Sequence, residues 1–347
     1  MFIMELIIFK VCLVIVLFLL SITIAAYSTF SERKVAAFIQ DRIGPNRAGP
    51  FGVLQPLADG IKMIMKEEIM PANSNKLLFI LGPAISMITA LMTSAVIPWG
   101  PDITIAGTKV HLQVADINIG ILYIMGVVSI GVYGIMIGGW ASNNKFALLG
   151  AVRASTQMIS YELSMGMSVI TIIMTTGSLS LADMVEGQNG WHGMGWNVVL
   201  QPLGFLIFLI CAFAETNRTP FDLPESETEL IGGYHTEYSS MKLGFYLFAE
   251  YVNMFMSSAV VSCLYFGGYN FPFMDVVQSH TGEILFALIC FGALFVKILF
   301  FIFFFMWIRW TIPRFRFDQL MNLGWKVLLP LAIVNMLLTG AIILYNQ

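Results

Sequence analysis

Residues 284–308 read ILFALICFGALFVKILFFIFFFMWI, an apolar run that only Lys297 interrupts. A helix needs about 20 mainly apolar residues to cross the hydrocarbon core of a bilayer. This stretch is long enough, and it is apolar on every side, which a half-solvated helix is not. Working outward, uncharged runs of useful length occur at 11–31, 77–101, 117–144, 163–182, 187–214, 251–274 and 327–347. The pattern predicts an all-α integral membrane protein with about eight transmembrane helices. They are placed near 6–30, 77–97, 117–140, 157–176, 199–214, 241–268, 283–308 and 325–345, so residues 1–347 form a single polytopic membrane domain.

Composition agrees. Hydrophobic residues make up 58% and charged residues 11% of the chain, against roughly 25% charged in a soluble protein. The first apolar segment is too long for the core of a signal peptide. It ends in Glu32-Arg33-Lys34 with no small-residue cleavage site before them, so it reads as a retained helix.

Lysine and arginine set the orientation. The segment 31–76 carries Arg33, Lys34, Arg42, Arg47, Lys62, Lys66 and Lys76, and further loops on that side carry Lys145, Arg153, Arg218, Arg309, Arg314 and Arg316. The opposite loops carry only Lys109. The long loops 31–76, 215–240 and 306–324 therefore face the cytoplasm or matrix, and an even helix count puts both termini on the periplasmic side.

Within the first loop Leu54, Leu57, Ile61 and Ile64 share one helical face, and Gln55, Asp59, Lys62 and Lys66 share another. That spacing predicts an amphipathic helix lying in the interface. Its polar face either meets water or serves a bound headgroup or a neighbouring protein of the same assembly.

The cysteines Cys12, Cys211, Cys263 and Cys290 all lie in apolar runs, with no CxxC pair. They read as small buried hydrophobes, so any electrons the protein works with are held elsewhere. His111, His192, His235 and His280 show no ligand spacing on one helix, and no metal site is expected. His235, beside an acidic loop, reads first as a satisfied surface histidine and second as a group that titrates there. No phosphate-binding or nucleophile motif is present, and no basic stripe points to nucleic acid.

Charges inside apolar runs are costly, about 2.5–3.5 kcal/mol each at mid-membrane on insertion scales, so they mark function. Asp116 starts the third predicted helix, Glu162 opens the fourth, Glu215 ends the fifth, and Glu250 lies in the sixth. After Glu215 an acidic run follows: Asp222, Glu225, Glu227, Glu229 and Glu237, with Arg218 as its one basic member. Crowded carboxylates cannot all ionise cheaply, which suits them to carry protons. The alternative is a solvated acidic loop. The interleaved Pro220, Phe221, Leu223 and Pro224 favour a re-entrant loop packed into protein, and Ser226 to Glu229 also fits a capping box. In 309–318, arginines alternate with aromatics. This suits stacking on a planar ring or holding an anion, although inner-side positive charge with interfacial aromatics accounts for part of it.

Three segments together resemble one family. They are 32–59 (ERKVAAFIQDRIGPNRAGPFGVLQPLAD), 215–230 (ETNRTPFDLPESETEL) with Glu237-Tyr238-Ser239, and 313–321 (PRFRFDQLM) with Trp325-Lys326. The chain resembles the family of membrane H subunits of respiratory complex I, whose mitochondrial members are called subunit 1. The resemblance implies a component of NADH:quinone oxidoreductase without catalytic activity of its own. It would form much of the quinone-access chamber and begin a glutamate-lined proton path. It implies ubiquinone or menaquinone as substrate, no cofactor in this chain, iron–sulfur clusters and FMN in partner subunits, and a bacterial inner membrane or its organellar counterpart. On this sequence the chamber residues would be Arg33, Arg42, Gln55, Asp59, Lys62, Phe221, Asp222, Arg314 and Arg316. The proton path would hold Asp116, Glu162, Glu215, Glu225, Glu227, Glu229 and Glu250. Two other readings are weaker. A membrane anchor of a related hydrogenase would lack the arginine-rich first and third loops, and a secondary transporter would show inverted repeats.

Overall fold

A computed structural model describes residues 2–105, 108–223 and 230–346. Nine helices organise it: α1 Phe2–Ile39, α2 Gln55–Met65, α3 Lys76–Met92, α4 Gly120–Ala141, α5 Lys145–Thr176, α6 Pro202–Glu215, α7 Ser240–Tyr265, α8 Glu283–Thr311 and α9 Phe317–Tyr345. Seven of them are long and apolar enough to cross a membrane. The remaining predicted span, the fifth, is α6, with 14 residues, about 21 Å at 1.5 Å per residue, short of the ~30 Å hydrocarbon core. Pro202 opens it, and the chain before it is folded into short turns at Leu181–Glu186, Gly190–Gly193 and Asn197–Leu200.

Helices α5 and α7 form the centre. Their most apolar windows are 50% and 67% buried, whereas that of α1 is 11% buried and lies on the rim. α7 packs against α1, α3 and α8, while α5 packs against α4, α6 and α9. α3 and α4 approach closely through glycines. A Cβ on Gly82 would come within 2.8 Å of the Gly138 Cα, and one on Gly134 within 2.9 Å of the Gly82 carbonyl oxygen. Small residues four apart allow such approach, and in lipid the resulting van der Waals contact drives association. Between α3 and α4, Ile103–Ile105 and Thr108–Val110 pair antiparallel.

Two helix starts differ from the sequence expectation. α5 begins at Lys145, twelve residues before the predicted 157 (157 − 145), with the Asn144 side chain capping Phe146 N–H at 2.8 Å. Ser155 and Gln157 lower the hydropathy of this stretch but are buried against protein, which satisfies them. Glu162 thus lies in the middle of α5 and does not open it. α9 begins at Phe317 and includes a π-helical turn at Leu323–Leu328.

Lys297 finds a structural place here. Its ammonium donates to the carbonyl oxygens of Phe266 at 2.7 Å, Gly268 at 2.8 Å and Asn270, and lies 5.2 Å from the Trp196 ring centre. An ammonium has three donors, and here they meet three carbonyls freed where α7 ends. Lys10 does the same on α1, donating to the carbonyl oxygens of His111 and Gln113. A buried carbonyl left without a donor costs about 1–3 kcal/mol. Lys297→Met should therefore lower the thermal unfolding midpoint in detergent well beyond the effect of a surface lysine substitution such as Lys326→Met. An unchanged midpoint would contradict the cap.

Candidate functional site

The amphipathic helix α2 supplies the first wall. Its apolar residues Leu57, Ile61 and Ile64 are 63%, 54% and 66% exposed, so that face is left for lipid. Its polar face turns to α1 and α7. Gln55 Nε2 donates to Asp59 Oδ1 at 3.1 Å, and Asp59 Oδ2 pairs with Arg33 at 2.8 Å. Lys62 Nζ stands 3.6 Å from Asp59. Between the three helices lies a groove of about 160 Å³, whose walls include Arg33, Asp59, Lys62, Gly244, Phe248 and Tyr251. Four of the predicted chamber residues, Arg33, Gln55, Asp59 and Lys62, thus come together.

At the back of the groove the Tyr251 hydroxyl donates to Glu32 Oε2 at 2.8 Å. Glu32 also receives Arg218 Nη1 at 2.7 Å and Arg309 Nη1 at 2.6 Å. The Arg218 guanidinium lies 4.0 Å over the Tyr251 ring. Glu32 and Arg218 are 4% and 3% exposed. Burial of this kind works against the arginine charge, but Glu32, Tyr251 and Glu250 more than offset it and hold the Arg218 group above its ordinary range. Sequence reading missed Glu32 and Tyr251; it took Arg218 as the one basic member of the acidic run and Arg309 as one of the arginines suited to hold an anion, and named neither to the chamber or the path. Glu32 looks like a flanking charge beside Arg33 and Lys34, and its partner Arg218 is 186 residues away.

Beyond this ion cluster stand the carboxylates. Tyr234 OH donates to Glu250 at 3.1 Å, and Ser129 Oγ donates to Glu162. Glu215 ends α6 and lines two small cavities, one shared with Glu250 and Asn217 and one lined with Thr93 and Ser257. The structure therefore brings Glu215 and Glu250 to one cavity, with Glu162 within electrostatic reach of Glu215. Glu225, Glu227 and Glu229 lie outside the described residues.

The loop after α6 is packed into protein where it is described. Gln157 Nε2 donates to the carbonyl oxygens of Ala214 at 2.8 Å and Phe221 at 2.9 Å. Asp222 pairs with Arg314 at 2.8 Å, and Phe315 N–H donates to the Pro220 carbonyl at 3.2 Å. Further on, the Tyr238 hydroxyl donates to the Phe79 carbonyl at 3.1 Å. Burial pushes that hydroxyl up to about 12, so it remains a neutral donor.

Four predicted placements need correction. Phe221 does not face an open chamber in this chain: it is 4% exposed and packs edge-on to Tyr161 at 5.4 Å and beside Phe315 at 5.7 Å. Burying a full aromatic ring is worth more than leaving it in a polar chamber mouth. Asp116 is not near the glutamates. It stands 3.8 Å from His111, beside Asp102, at the Lys10 end of α1. Twenty-two residues (32 − 10) of helix, about 33 Å, separate that end from Glu32. Arg42 and Arg316 are exposed and bind local partners, Gln40 at 2.7 Å and Asp318 at 3.2 Å, so neither joins the groove here. Among the described residues, no group of three or more His, Cys, Asp or Glu comes together to hold a metal ion.

The family model described as NADH dehydrogenase matches residues 11–340. The chain is 63% identical to an H subunit of NADH-quinone oxidoreductase from Cytophaga hutchinsonii, with 98% of each chain covered. It is 62% identical to the H subunit of NADH-quinone oxidoreductase from Flavobacterium johnsoniae, over 97% of this chain and 96% of that one. It is 49% identical to an H subunit of the same enzyme from Geobacter metallireducens, over 94% of each.

The ion cluster yields a contrast in stability. Removing one partner of a buried pair costs about 3–5 kcal/mol, because the other charge is stranded. An exposed pair is worth roughly 0–1 kcal/mol. Arg218→Met should therefore destabilise strongly in a thermal unfolding series. Arg33→Met, at a pair whose arginine side chain is 49% exposed, should be close to neutral. Equal effects would remove the special status of the cluster.

Proposed function

Because this chain belongs to the NADH dehydrogenase family, among the membrane H subunits of NADH-quinone oxidoreductase, we propose that its groove admits quinone and that its carboxylates relay the consequence of quinone reduction as protons. The observation that carries the reading is Tyr251. It lines the groove and also donates to Glu32, so the groove and the buried ion cluster share a residue.

The chemistry follows from charge. Reducing a quinone to a quinol consumes two electrons and two protons. The electrons come from iron–sulfur clusters, and upstream from FMN, in partner subunits of the peripheral arm. Arg33 and Lys62 favour anionic character at the groove, and Asp59 orients them. A charge change there acts on Tyr251 and through it on Glu32, which holds two guanidiniums. Any weakening of the hold on Arg218 raises the positive potential near Glu250, and the balance of protons between Glu250, Glu215 and Glu162 shifts. The coupling needs an element with two arrangements that both sites bias. The loop bearing Arg218 and Asp222 is that element, and Glu225, Glu227 and Glu229 continue it. The path leads on to neighbouring membrane subunits.

The protein is a multi-pass membrane protein. Its bacterial relatives point to the bacterial inner membrane, and with α6 counted as a shorter eighth crossing, lysine and arginine placement puts both termini outside. The partners are the other components of the complex, ubiquinone or menaquinone, and the lipid bilayer.

Two measurements test this. Around Gly244 the nearest atom to an added Cβ is Met241 Sδ at 3.9 Å, so a larger side chain fits and projects into the groove it lines. Gly244→Leu should raise the KM for quinone at least several-fold in a complex that still assembles on a native gel, and an unchanged KM would place quinone access elsewhere. Glu215→Gln should reduce protons pumped per electron while NADH oxidation by an artificial acceptor continues. Full pumping would take Glu215 out of the path.

A further inference from the structure

Glu215 is a carboxylate within the bilayer region with no side-chain hydrogen bond to any described residue, and what surface it keeps faces two adjoining cavities of about 30 Å³ each. The cavities share Glu215, Asn253 and Val128. Asn253 likewise makes no side-chain hydrogen bond to a described residue. An ion or amide left unsolvated in such a place is costly, so both require another polar partner.

The walls show what the partner is. Along α3 and the turn that extends it, Ser86 and Thr89 line the first cavity and Thr93 the second. Along α7, Glu250 lines the first, Asn253 both, and Ser257 the second. The two series share one spacing, i, i+3 and i+7, which puts each on a single helix face. The three α3 hydroxyls each donate to a carbonyl of their own helix: Ser86 to Gly82 at 3.3 Å, Thr89 to Ile85 at 2.9 Å, Thr93 to Thr89 at 3.1 Å. Their lone pairs are left to accept from something in the cavity. A cavity holds water when it offers about 10–15 Å³ or more and two to four polar partners. The second cavity, with Thr93, Glu215, Asn253 and Ser257, meets both conditions although the rest of its wall is apolar.

Direction follows from the helices. Both α3 and α7 run from the basic-loop side outward, so the step from Glu250 to Ser257 leads outward by about 10 Å.

We propose that water fills both cavities, and that the second gives Glu215 an outward branch for proton exchange between α3 and α7, with Asn253 joining the two bodies of water. The inference rests on the proton-path reading of Glu215. The step is a bare proton transfer between carboxyl and water, and it needs no oxidant or further reactant. Asn253 is a positioning residue: it orders the water at the junction and does not itself titrate.

Radiolytic hydroxyl-radical footprinting of the intact complex tests it, because radicals born from internal water oxidise the methionines beside it. Met165 and Met256 line the second cavity and are 4% and 1% exposed. Met184 and Met254 are 0% exposed and line neither cavity. Met165 and Met256 should be oxidised several-fold faster than Met184 and Met254. Thr93→Val, nearly isosteric, should slow Met165 and Met256 while leaving Met158, which lines only the first cavity, unchanged. Asn253→Leu provides a second variant that should slow all three. Rates for Met165 and Met256 equal to those of Met184 and Met254 would show a dry cavity and overturn the proposal. Fast Met256 oxidation together with full pumping in Glu215→Gln would keep the water but overturn its role in proton exchange.

Discussion

A single buried carboxylate, Glu32, holds two guanidiniums and a phenol, and four separate parts of the chain meet on it: α1, the loop after α6, α7 and α8. In a low-dielectric interior a charge is tolerated only when its partners are already in place. The cluster therefore fixes the position of α1, a rim helix that buries little apolar surface of its own. In lipid there is no hydrophobic drive to press such a helix inward, so polar contacts and close packing carry more of the load. Lys297 at the end of α7 and Lys10 at the loop before α4 obey the same constraint, each matching its ammonium to backbone carbonyls.

The cluster also sits between two unlike spaces. On one side is a groove open to the interface helix, with exposed pairs such as Arg33–Asp59 at its mouth. On the other are the cavities walled by Glu250 and Glu215. A polar line thus runs from interface to membrane interior through residues on α1, α2, α6 and α7. Close glycine packing of α3 on α4 and the tyrosines Tyr238 and Tyr246, which donate to carbonyls of Phe79 and Gly134, keep the far wall rigid. Rigid walls around a small number of polar groups let a change at one of them be felt at the next.

The spanning helices were legible because the bilayer demands a fixed length of apolar chain, and the interface helix because its two faces repeat at the helical period. Glu162, Glu215 and Glu250 stood out because charge in an apolar run is expensive. The start of α5 was hidden because Gln157 is polar in sequence but satisfied by the Ala214 and Phe221 carbonyls, a long-range fact. Asp116 and Glu215 look alike in sequence, since both sit at the end of an apolar run, and only the pairing of Asp116 with His111 separates them. Phe221 lies among acids yet turns into the core, as a large ring does when a pocket is available. Asn253 and Ser257 carry no charge to betray them, and only the cavities around them give them meaning.

The most direct test of the account is the isosteric Glu32→Gln variant, reconstituted in proteoliposomes with assembly confirmed, and read for quinone reduction and proton translocation side by side. If the ion cluster couples groove to carboxylates, quinone reduction persists while protons translocated per electron fall. If both rates keep the wild-type ratio in the assembled complex, the cluster is a structural tie alone and coupling does not pass through it.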